Sequence, residues 1–129
     1  MKSIIFTLTL FISVTSYAQK INQEDLYTIW LLDKYSDEEE YYLPPKKEVG
    51  DSLAFKQDMT YTAVFEGKKS NGTWLLNTNG KYIELLSDQG EREKLYIHFL
   101  SNKSMVVTYD TDEFRIWEVH YVSRVIEGE

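Results

Sequence analysis

Between Ser52 and Ser123, apolar residues recur at every second position, and turn-forming residues interrupt them at short intervals. That period places alternate side chains on opposite faces of an extended strand, whereas a helical apolar stripe repeats every ~3.6 residues. Strands are expected near 27–34, 52–57, 60–66, 72–78, 81–87, 93–100, 104–110 and 113–123. Punctuation falls at Gln57-Asp58, Gly67 to Asn71, Asn79-Gly80, Asp88-Gln89-Gly90, Ser101-Asn102-Lys103 and Thr111-Asp112. No stretch offers the helix that a parallel crossover needs, so the sheet is expected to be antiparallel. Ile21 to Leu26 alone suits a short helix, with Asn22 as its cap.

Asn79-Gly80 marks the firmest hairpin. Both central residues of a type I′ turn need positive φ, which Asn and Gly tolerate best. A two-residue loop there sets Thr78 opposite Lys81, Leu76 opposite Ile83 and Trp74 opposite Leu85. Trp74, Leu76, Ile83 and Leu85 then share the core face, because a one-residue slip would bury Glu84. The same parity assigns Leu95, Ile97 and Phe99 to the core, leaving Lys94, Tyr96 and His98 outside. In the last hairpin, pairing Tyr109 with Phe114 would set Val107 against Ile116. Val106 and Trp117 form a rival apolar set there, so its inward face is left open.

Eight antiparallel strands with short links predict an all-β fold, an eight-stranded up-and-down barrel whose closure removes the sheet edges. A two-sheet sandwich is the alternative. A membrane barrel fits poorly, since it needs an outward apolar band and these strands carry Lys56, Glu66, Lys81, Glu84 and Lys94. With no cysteine in 129 residues, there is no disulfide framework, thiolate metal site or cysteine nucleophile. The net charge of −7 argues against nucleic acid as the main partner.

The first eighteen residues read as an address. Met1-Lys2 supplies a basic start, Ile4 to Val14 an apolar run, and Ser16-Tyr17-Ala18 the small residues of a cleavage site. Residues 1–18 are thus expected to be a secretory signal peptide, and 19–129 a single exported domain, periplasmic or extracellular. The apolar run is shorter than the ~20 residues that span a bilayer, and no cysteine follows the cut to carry a lipid anchor.

The chain resembles the small secreted lipocalin-like domains of bacteria. The residues that carry the likeness are Trp30, the run Leu53 to Tyr61, Gly72-Thr73-Trp74-Leu75-Leu76, Lys81-Tyr82-Ile83-Glu84-Leu85 and the terminal Tyr121 to Val125. Members often carry Gly after the Asp of the second turn, where Met59 stands here. The resemblance implies a barrel able to hold a small apolar ligand. It also implies that Trp30 on the first strand packs against Arg124 at the end of the last.

Candidate chemistry is sparse. Residues Gly-Xaa-Ser-Xaa-Gly, His-Glu-Xaa-Xaa-His or a phosphate loop do not occur, and no enzymatic activity, cofactor or metal is expected. His98 and His120 lie on strands that are not neighbours. The acidic run Asp37 to Glu40, followed by Tyr41-Tyr42-Leu43-Pro44-Pro45, reads either as a lid over the barrel mouth or as a solvated loop. Aromatics make up 15% of the chain. An eight-stranded barrel is just wide enough to be filled by side chains or to hold one small ligand. Phe55, Tyr61 and Trp74 are the expected ligand contacts, with Tyr41 and Tyr42 shielding the ligand. The alternative is a filled barrel serving as a structural or protein-interaction domain, its partner unspecified.

Overall fold

A computed structural model describes residues 20–124. The expected leader 1–18, its cut before Gln19, and Val125 of the terminal motif lie outside the described residues. Nine strands form one antiparallel sheet: β1 (Ile29–Ser36), β2 (Tyr41–Tyr42), β3 (Ser52–Phe55), β4 (Thr60–Phe65), β5 (Lys68–Asn77), β6 (Tyr82–Ser87), β7 (Arg92–Leu100), β8 (Ser104–Tyr109) and β9 (Glu118–Ser123). From β3 onward each strand pairs with the next, and β9 returns to β1, from Trp30↔Ser123 to Ser36↔Glu118. The two-residue β2 lies along the far end of β1, so the closed ring has eight strands. This is the up-and-down barrel that the alternation predicts. Among the described residues no helix is long and apolar enough to cross a membrane.

One end of the barrel is stoppered. A 3-10 turn at Gln23–Leu26 starts at Asn22, whose side chain accepts the Glu24 N–H. The turn drives Leu26 wholly out of solvent, a burial worth ~1.5–3 kcal/mol for a side chain of this size. The Trp30 indole N–H donates to the Leu26 carbonyl at 3.2 Å, so the polar edge of this buried ring is satisfied. The Trp30–Arg124 contact that the resemblance implies is not formed. Trp30 is fully buried, Arg124 is exposed, and no ring contact joins them. Beside Trp30, Phe55 and Trp74 meet edge to face at 5.2 Å, and Tyr27 meets Trp74 at 6.1 Å.

Local geometry departs from expectation in four places. The β5–β6 register is as expected, with Leu76↔Ile83 and Trp74↔Leu85. Its turn is a four-residue loop, however, in which Lys81 rather than Asn79 or Gly80 takes positive φ (57°). The paired left-handed residues of a two-residue turn occur instead at Glu66 (φ 52°) and Gly67 (φ 81°), and β5 consequently begins at Lys68. In β7 a bulge between Ile97 and Phe99 reverses the parity, so Phe99 faces out and Leu100 is buried. Finally, β9 starts at Glu118, and Val107 pairs with Val119 rather than Ile116. Met105, Val107, Val119 and Tyr121 make the inward face of that hairpin, while Ile116 is exposed.

Candidate functional site

The end opposite the stopper is hollow. A cavity of about 370 Å³ opens there, walled by Leu53, Leu85 and Val119 and by the rings of Tyr35, Tyr61, Tyr109 and Tyr121. Strand parity explains most of this wall. Tyr61 alternates inward with Ala63, Ser70 with Gly72 and Trp74, Glu93 with Leu95 and Ile97, and Tyr109 with Val107. Tyr35 reaches the cavity because an irregularity between Leu32 and Lys34 resets the alternation of β1.

The wall is polar at chosen points. Tyr35 donates its hydroxyl to Glu48 Oε1 at 2.5 Å, and the hydroxyls of Tyr109 and Tyr121 lie 2.5 Å apart. Burial is the main force holding all three phenols above their ordinary range. They therefore remain protonated at any physiological pH. Since one of the Tyr109–Tyr121 pair donates to the other, the acceptor's own proton is left for a further partner. Asp51, at the head of β3, is buried, and its Oδ1 accepts the Glu66 N–H at 2.9 Å. Glu93 faces the cavity and keeps contact with solvent. Burial raises the pKa of both carboxyls, and Glu48 and Glu66 around Asp51, and Glu91 beside Glu93, push the same way.

The rim is built by the β8–β9 loop. Phe114 stands between Tyr35 (6.4 Å) and Tyr109 (6.0 Å), held by its N–H on the Thr111 carbonyl. Trp117 packs on Tyr35 and Tyr42 from outside the cavity.

The five residues expected at the site are divided by the structure. Tyr61 lines the cavity, while Phe55 and Trp74 pack together at the stoppered end and do not border it. Tyr41 lies on the outer wall, with its ring 5.6 Å from His120 and the Lys34 ammonium 4.4 Å above it. Tyr42 stands at the rim against Trp117, its hydroxyl donating to Asp37. The residues missed, Glu93 above all, carried a readable signal: a charged side chain on the same parity as Leu95 and Ile97.

Two polar clusters lie on the outer wall. Ser36 Oγ is 2.7 Å from His120 Nε2 and 3.2 Å from Glu118 Oε1. Glu118 thus meets the serine and not the far nitrogen of the imidazole, where a nucleophilic triad needs its acid. His98 Nε2 is 2.7 Å from Thr108 Oγ1, whose proton goes to the Trp117 carbonyl, so the imidazole is the donor. Among the described residues no group of three His, Asp or Glu is placed to hold a metal ion.

A closed, eight-stranded, antiparallel up-and-down barrel, stoppered at one end and hollow at the other, is the class these features define. The crystal structure of a DUF4847 family protein from Bacteroides vulgatus ATCC 8482 is similar to it, with a TM-score of 0.53 over 78% of this chain and 94% of that one. At 8% identity the likeness is one of fold. No family model and no curated protein matches the chain.

Proposed function

We propose that this protein is an exported, lipocalin-like binding module, without catalytic activity, that holds one small ligand with an apolar body in the open half of its barrel. The observation that carries the reading is the asymmetry of the interior. Two tryptophans fill one half, and the other holds a cavity of about 370 Å³. Ligand sites usually fall at ~300–1,000 Å³, are mainly apolar and use few polar groups. Tyr35, Tyr61, Tyr109 and Tyr121 supply ring surface and hydroxyls together, and Phe114 on the rim loop takes the shielding part first assigned to Tyr41 and Tyr42. Phe55 and Trp74 support the site from the stoppered end, by holding the barrel's shape rather than by touching the ligand. Export rests on the pattern of residues 1–18.

The neutral dye N-phenyl-1-naphthylamine tests the cavity. Its fluorescence should rise on mixing with the protein. Ala63→Phe, which adds a ring to the cavity wall, should abolish that rise while the circular dichroism of the β-sheet is kept. A wild-type protein that leaves the dye dark would favour the second reading, a structural or interaction domain. The exposed Leu75, Tyr96 and Phe99 on the outer wall are the observation in its favour.

A further inference from the structure

The cavity carries charge of one sign. Asp51, Glu93 and Glu113 line it, and no lysine, arginine or histidine does. Asp51 is only 6% exposed. One of its oxygens accepts from Glu66, and the other, without a hydrogen bond or countercharge among the described residues, still reaches solvent. Three nearby cations have acidic partners of their own, while Lys68 and Lys69 of the β4–β5 hairpin are exposed and do not line the cavity. Lys47 pairs with Glu66 at 3.6 Å, Arg92 with Glu84 at 3.4 Å, and Arg115 with Asp110 and Asp112 at 3.3 and 3.5 Å. Asp51 is largely withdrawn from water while Glu93 stays exposed, yet burial is the first cause that displaces both carboxyls upward, and a bound cation would offset that cost. The surrounding surface suits the same charge. Tyr35, Tyr61, Tyr109, Tyr121 and Phe114 remain neutral rings, and the face of such a ring attracts an ammonium group. An inorganic cation fits less well, because the carboxylates are not grouped as metal ligands.

We propose that the ligand of this cavity is a small organic cation, an amine or quaternary ammonium ion carrying an apolar body. The proposal rests on the reading that the cavity is the ligand site. An ammonium group would sit toward Asp51 and Glu93, with the apolar body against Leu53, Leu85 and Val119. An anionic ligand would meet three carboxylates and no countercharge.

Three compounds of similar shape separate the possibilities: 2-phenylethylamine, 2-phenylethanol and 3-phenylpropionate, each titrated calorimetrically into the folded protein. The amine should bind at least about tenfold more tightly than the alcohol, with the carboxylate weakest, and added salt should weaken the amine alone. Glu93→Gln and Asp51→Asn should each remove most of the amine's advantage and leave the alcohol unchanged. The Asp51→Asn amide oxygen can still accept from Glu66, and Glu93 is solvent-reached, so both variants should fold. An alcohol or carboxylate that binds as tightly as the amine would overturn the cationic assignment, and dye binding would leave the cavity reading standing. If none of the three binds and the dye stays dark, the cavity reading itself fails, and this proposal with it.

Discussion

Gly72 shows how little room a single position can leave. It lies opposite Tyr61 in the β4–β5 ladder, and a Cβ added there would come within 2.1 Å of the Leu86 carbonyl oxygen and 2.8 Å of the Tyr61 ring. The nearer obstacle is backbone and cannot swing aside. Gly72→Ala is therefore expected to destabilise the barrel by at least the ~1–3 kcal/mol typical of overpacked sites. A lowered urea midpoint, with weaker dye binding as Tyr61 is displaced, checks it. The sequence shows a glycine there but not the reason, since the obstructing atoms belong to another strand. His120 offers a second test. Burial first, and Lys34 second, hold its pKa below the ordinary 6.5, against the opposing pull of Glu118 and Asp33. The unfolded chain takes up a proton at this site near pH 6.5 and the folded chain only at lower pH. Stability from this group is thus present above 6.5 and lost as pH falls through and below it. Melting temperature should drop between about pH 7 and about pH 5.5, and the drop should be smaller in His120→Gln.

At the scale of elements, strand faces and most turn positions were legible, whereas turn types and the Glu66-Gly67 hairpin were not. Alternation placed Trp74, Ile83, Leu85, Leu95 and Ile97 inward, as found, because a sheet with one buried face reads directly in a period of two. The β5–β6 register also held despite the wrong turn, since widening the loop by one residue on each side keeps the same partners opposed. The turn chemistry was misplaced because tertiary contacts outweighed local preference. Glu66 adopts the left-handed conformation with its N–H held by Asp51 and its carboxylate near Lys47, both remote in the chain. Met59 follows the same rule. At φ 71° it occupies a conformation that favours glycine, as lipocalin-like domains often have there, yet its side chain packs against the core. Bulges defeated the pattern outright: nothing local announces that Phe99 will face outward one residue after the alternation breaks. The cavity was hidden for a related reason. Parity shows which side chains point inward, but the 3-10 turn decides which half they fill, so Phe55 and Trp74 could not be told apart from Tyr61 by alternation.

For the whole molecule, export has a direct test. Protein recovered outside the cytoplasm of its producing cell should have the intact mass of a chain beginning at Gln19; a mass that retains residues 1–18 would refute the leader. The architecture was the most legible level of all, since eight short alternating segments without a crossover helix leave few closed arrangements. Closure has a further consequence, in the order of folding. The seam joins Trp30 to Ser123, partners separated by roughly 90 residues of chain, and contacts so distant in sequence form slowly because the loop entropy must be paid before they exist. Until β9 arrives, β1 and β8 each present an unpaired edge, and such edges accept a strand from any chain that offers one. The last six-residue strand thus decides whether a nearly folded copy completes itself or takes its final strand from a neighbour.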